Sequence, residues 1–236
     1  MTWRSLICFS LALAAAVSAA PVSGKVALRD SRVEDVKKRD NYSGVVISLA
    51  PVGRTVAPAP AHRCRMLQKD KTFTPHILPI VAGTTVDFPN ADPIFHSAFS
   101  SYSGQIFDVG LYPPGENRSV RFTRPGIVRV FCNIHPAMSA VILVLTTPFF
   151  ATTGLDGSFH IDTPPGEYDL NVFHERATDA TLRSLTRRIT VGEAGVELPP
   201  IVISESGYVA ASHKNKYGKD YPPGSGEDPA YSAGRK

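Results

Sequence analysis

The chain has 236 residues, 43% hydrophobic and 19% charged, which suits one large or two small folded domains and excludes both wholesale disorder and a large multidomain enzyme. Eighteen Gly and twenty Pro disfavour a mostly helical protein, and three cysteines at this length exclude a disulfide scaffold. A net charge of +4, from 25 basic and 21 acidic residues, is too mild for a dedicated nucleic-acid binder.

Residues 1–19 read as a signal peptide: Arg4 near the start, an apolar run over 6–17, then Ser18-Ala19-Ala20 ahead of Pro21. The run falls short of the roughly 20 residues a spanning helix needs. No later stretch is long enough either, so no membrane span is expected. Cleavage after Ala19 removes Cys8 and leaves Cys64 and Cys132 in an oxidising compartment, the periplasm. Short Val-, Ile-, Phe- and Thr-rich runs then predict strands over 44–49, 76–81, 85–88, 96–99, 119–123, 127–131 and 140–145, followed by 158–161, 168–173, 187–191 and 201–203. Turn signals such as Pro89-Asn90-Ala91-Asp92 and Arg124-Pro125-Gly126 separate them, the pattern of an all-β sandwich or barrel. One ragged helix is predicted over 177–188. From residue 204 onward apolar patterning stops, and 204–236 reads as a mobile tail.

Chemistry concentrates where a predicted strand ends. The stretch Phe131-Cys132-Asn133-Ile134-His135-Pro136-Ala137-Met138 sets a thiol, an imidazole and a thioether at i, i+3 and i+6 in one inter-strand loop. A second imidazole, His96, lies 36 residues before Cys132, leaving room for it to sit on a neighbouring strand. Soft sulfur donors disfavour Mg²⁺ and Ca²⁺, and structural zinc takes Cys and His without a thioether. Two imidazoles and a thiolate with a weak axial Met are the donor set of a type-1 copper site. The bland alternative pairs Cys132 with Cys64 in a disulfide, which leaves His135 and Met138 unexplained. Taken singly, Met138 reads as core and His96 as a surface residue.

Residues 66–68, 73–75, 81–92, His96, Gly126 and 132–138 together resemble a cupredoxin, nearest to the plastocyanin-like proteins labelled methylamine-utilisation proteins. The Cys-x-x-His-x-x-Met loop is similar to that of amicyanin. The resemblance implies a Greek-key β-sandwich over 61–147 holding one type-1 copper on His96, Cys132, His135 and Met138. It also implies electron exchange with a redox protein partner through the His135 edge. Many cupredoxins carry Asn directly after the first His ligand, where this chain has Ser97.

Residues 152–161 and 164–170 resemble the carboxypeptidase-regulatory or transthyretin-like β-sandwich. Since 148–203 alone offers too few strands, 22–60 is expected to supply the rest, giving a discontinuous second sandwich with the cupredoxin inserted. The function implied is a periplasmic, monomeric, non-enzymatic blue copper protein carrying single electrons. Copper delivery without redox cycling, and a structural or carbohydrate-binding role of the outer sandwich, are the alternatives.

Overall fold

A strand buries one face when its apolar residues alternate, and both when they do not. In the computed structural model, which describes residues 19–55, 62–101, 104–209 and 213–223, strands dominate as the sequence leads one to expect. The chain opens with β1 (Ala20–Arg29), α1 (Glu34–Arg39) and β2 (Val46–Pro51). Ten strands follow: β3 (Arg63–Arg65), β4 (Leu67–Lys69), β5 (Thr72–Thr74), β6 (Ile77–Val81), β7 (Thr85–Pro89), β8 (His96–Ser100), β9 (Phe107–Tyr112), β10 (Asn117–Arg121), β11 (Gly126–Phe131) and β12 (Ser139–Leu145). Then come β13 (Phe150–Thr152), β14 (Ser158–Thr163), β15 (Gly166–Phe173), α2 (Asp179–Leu185), β16 (Arg187–Val191), β17 (Val196–Glu197) and β18 (Ile201–Ser204). The expected signal peptide lies outside the described residues, except for Ala19.

The middle strands form sheets in the orders β10-β7-β3 and β6-β12-β11-β8-β9, with β4 and β5 as a separate hairpin. Met66, Phe73, Phe88, Phe122, Val130 and Ile142 from these strands and their loops share one core. The outer strands form β14-β1-β17, with β18 also on β1, and β13-β2-β15-β16. They share a second core containing Val22, Ile47, Leu49, Phe159, Tyr168 and Ile203. Thus β1 and β2 hydrogen-bond to strands that follow the ten-strand unit: Val22 lies opposite Ile161, and Leu49 opposite Leu170. At the turn into β14, Gly157 (φ 77°) passes so close to β1 that a Cβ would sit 2.1 Å from the Val26 carbonyl oxygen, and only glycine fits.

Strand β12 joins the two halves. Ala140, Ile142 and Val144 enter the middle core. Val141 and Leu143, on the other face, meet Val46 of β2 and Phe173 of β15 in a third cluster. An unbroken apolar run is what a strand buried on both faces requires.

The helix expected over 177–188 is shorter. Thr178 caps it by accepting the Thr181 N–H at 3.2 Å, and it stops at Leu185 because Arg187 begins β16, which pairs with β15. Helix α1, six residues long, carries Glu34–Lys38 and Asp35–Arg39 pairs at i,i+4 spacing.

The solvated character expected for everything after residue 203 does not describe residues 213–223. They lie on the middle sandwich: the His213 ring stacks on Phe131 at 4.0 Å between centroids, and Lys216 pairs with Asp108 of β9 at 2.7 Å. A polar average composition hides a few well-placed side chains that find partners.

Candidate metal centre

The loop from β7 to β8 is fixed before it delivers His96. The Asn90 side-chain amide donates to the Ile94 carbonyl at 2.8 Å, and its oxygen accepts the Asp92 N–H at 3.1 Å, an Asx turn. Asp92 is thereby held inside the fold, 3% exposed, where its carboxylate accepts the backbone N–H groups of Asp70 and Lys71 at 2.6 and 3.0 Å. Oxygen Oδ2 also receives the His96 Nε2–H at 2.6 Å. A carboxylate on one ring nitrogen fixes the tautomer and leaves the other nitrogen as the donor atom. That atom, Nδ1, lies 3.8 Å from the Cys132 Sγ.

Cys132 follows the last residue of β11, and the next strand starts at Ser139. The Cys132 N–H donates to the Met138 carbonyl at 3.2 Å and the Met138 N–H to the His135 carbonyl at 3.0 Å, closing the loop as a tight turn. His135 is thereby folded back so that its Nδ1 stands 3.6 Å from the Cys132 Sγ and 3.1 Å from the His96 Nδ1. A triangle with sides of 3.1, 3.6 and 3.8 Å has a centre about 2.0 Å from every corner, close to the roughly 2.0–2.3 Å bonds a transition ion makes to imidazole nitrogen and thiolate sulfur. The donors fit one ion.

All four expected ligands are buried: His96 and Cys132 are 0% exposed, Met138 1% and His135 4%. Three of them converge, and Met138 is held in the same core as Cys132. Burial pushes the Cys132 thiol up. The close contacts with the His135 and His96 rings, with the Ile134 and Ser97 backbone, outweigh it and bring the thiol down to about 5. His96 also loses proton affinity through burial, but its bonds to Cys132 and Asp92 leave it raised above its ordinary value. The protein thus prepares a thiolate, the form that binds metal. The Ser97 hydroxyl accepts the Asn133 N–H at 2.8 Å and lies 3.8 Å from the Cys132 Sγ, tying the 132–138 loop to β8.

The rival pairing of the two cysteines falls here. Cys64 and Cys132 are both free thiols: Cys64 lies on β3 beside Val86 of β7, in the opposite sheet, so the disulfide alternative falls. His135 is 4% exposed, so little of its ring reaches the surface. Sequence reasoning also missed Asp92, whose place four residues before His96 in an Asn-x-Asp turn was the available signal. It likewise missed the contacts of residues 213–223 with this loop. Among the remaining histidines, His76 and His174 are engaged by Glu175 and Glu205, and His160 by Asp162.

Phe131, next to Cys132 in the chain, also walls a cavity of about 610 Å³ between the two sandwiches, shared with Arg129, Glu175 and His213.

No family model matches the chain, and no curated protein matches its sequence. Among solved structures it is similar to a purple cupredoxin from Nitrosopumilus maritimus, at 21% identity and a TM-score of 0.32, over 35% of this chain and 99% of that one. Amicyanin from Paracoccus versutus matches at 18% identity and a TM-score of 0.32, over 42% of this chain and 97% of that one. A copper-containing nitrite reductase from Thermus scotoductus SA-01 matches at 28% identity and a TM-score of 0.33, over 42% of this chain but 25% of its own. The neighbours thus include both cupredoxins and a copper enzyme. Among the described residues, no helix is long and apolar enough to cross a membrane.

Proposed function

We propose that the protein is a periplasmic type-1 copper protein that carries single electrons between redox partners. The observation that carries this reading is the buried triangle of His96 Nδ1, Cys132 Sγ and His135 Nδ1, spaced for one ion. The choice of copper follows from the donors: thiolate and imidazole suit copper and exclude Mg²⁺ and Ca²⁺, and the buried Met138 is the fourth, weak donor of the set. Copper bound there would supply one-electron chemistry. The protein's own part is to keep the ligands still and dry. Asp92 holds the His96 ring, Ser97 holds the Cys132 loop, and the surrounding core excludes water, so the two redox states need not differ in ligand arrangement. The apolar run over residues 6–17 supports export. Full burial of His96 and Cys132 favours retention of the metal over its delivery.

Loading with copper is expected to give a blue protein with a strong visible absorption band. Cys132→Ser should abolish the colour while thermal unfolding stays cooperative. Met138→Leu should keep the copper and raise the potential, because the oxidised ion loses more from a missing donor than the reduced one. A colourless copper-loaded wild type overturns the electron-carrier reading.

A further inference from the structure

Three hydrogen bonds from one short segment end on the loop that bears Cys132 and His135. The Tyr221 hydroxyl donates to the carbonyl of Cys132 at 2.7 Å. The Lys216 backbone N–H donates to the Asn133 side-chain oxygen at 3.0 Å. The His213 Nε2–H donates to the Pro136 carbonyl at 2.7 Å. The Cys132 and Pro136 carbonyls belong to residues between two strands, where the β-ladder gives them no partner, and both orphan acceptors are met from outside. The same segment is anchored on both flanks. The His213 ring stacks on Phe131 at 4.0 Å and 26°, Tyr221 stands edge-on to His213 at 5.3 Å, and the Lys216 ammonium pairs with Asp108. Beneath it, Cys132 and His135 are almost completely sealed although their loop joins two strand ends, a place ordinarily open to water.

We propose that residues 213–223 are a working part of the centre: a strap that holds the 132–138 loop in its ligand geometry and keeps water and small reagents from Cys132 and His135. Tyr221 and His213 are its positioning residues. In purpose this rests on the copper reading, since a sealed type-1 ion exchanges electrons without taking up foreign ligands. The shielding itself acts on the Cys132 thiol whether or not metal is present.

The strap is tested on metal-free protein by alkylating with iodoacetamide at pH 7 and following Cys132 and Cys64 peptide by peptide in the mass spectrometer. A chain ending at residue 212 should alkylate Cys132 about tenfold or more faster than the full chain, with Cys64 unchanged, because only the local cover has been removed. Should that chain fail to fold, seen as Cys64 accelerating in step, the full-length double variant Tyr221→Phe, His213→Ala decides. It should accelerate Cys132 alone. On copper-loaded samples, added azide should alter the spectrum of the shortened or doubly substituted protein and leave the wild type untouched. Unchanged Cys132 alkylation in a folded variant overturns the strap even if the wild type is blue. Accelerated alkylation in the variants together with a colourless copper-loaded wild type overturns the copper reading and leaves the strap standing.

Discussion

At the scale of single residues, Asp92 does the most with the least. Its carboxylate accepts two backbone N–H groups from the β4–β5 turn and the His96 Nε2–H, and it is almost wholly buried. A carboxylate accepting several N–H bonds is charge-assisted in each of them. Asp92→Asn keeps the shape but removes the charge, and it offers an amide hydrogen where only acceptors are wanted. Copper affinity, measured by competition with a chelator, is expected to fall about 10–100-fold, the usual cost of losing the outer partner of a ligating histidine. An affinity unchanged in Asp92→Asn would mean that His96 is held by its packing alone. In the sequence this residue reads as turn punctuation, because nothing local says that the turn folds inward. Ser97 was legible as the departure from Asn, and its hydroxyl does tie the loop to β8, through the Asn133 N–H.

At the scale of elements, β12 carries the clearest energetic argument. Its two faces serve different cores, so neighbouring substitutions should have separable effects. Ile142, fully buried, belongs to the core of the middle strands, whereas its chain neighbours Val141 and Leu143 belong to the third cluster. Ile142→Ala is expected to cost about 2–5 kcal/mol of stability, through lost burial and a residual cavity. Val141→Ala, on the other face, removes less volume and acts on the seam with Val46 and Phe173. Denaturant unfolding of the two variants checks the difference, and equal midpoints would show that β12 does not partition in this way. The strand itself was legible as an unbroken apolar run; that each face had a different owner was not. Strand β9 escaped for the opposite reason. Asp108 and Gly110 look like a turn, and the Gly110 N–H does bond to the Asp108 side chain at 2.8 Å, yet the segment still pairs with β8 across an irregular register. Helix α1 is too short to show periodicity.

At the scale of the whole molecule, the two sandwiches meet through an apolar seam and an ionic one beside it. Around the second seam His76 reaches Glu175 at 2.5 Å, and Arg129 reaches the other oxygen of Glu175 at 3.3 Å, with Arg176 close by on the Glu205 carboxylate. None of this was legible from spacing, since 99 residues separate His76 from Glu175. The hydrogen bond to Glu175 raises His76 above its ordinary 6.5, against the opposing effect of burial. Burial would raise Glu175, but the His76 bond and charge, with Arg129 and Arg176, bring it below its ordinary 4.5. The signs then follow. A raised histidine stabilises the fold fully below 6.5, and this is lost as pH climbs through its elevated folded value. A lowered carboxyl contributes fully above 4.5, and that part is lost as pH falls through its depressed folded value. Both contributions are therefore complete between about pH 4.5 and 6.5. The His76 side chain is 49% exposed, so solvent screening keeps its share small. Thermal unfolding of wild type and His76→Gln across pH 5–9 isolates it. The wild-type advantage should be largest near pH 5–6 and shrink toward pH 9. Parallel curves over that range would mean that the imidazole between the sandwiches serves as a neutral hydrogen-bond partner, leaving Arg129 and Arg176 to balance Glu175 by themselves.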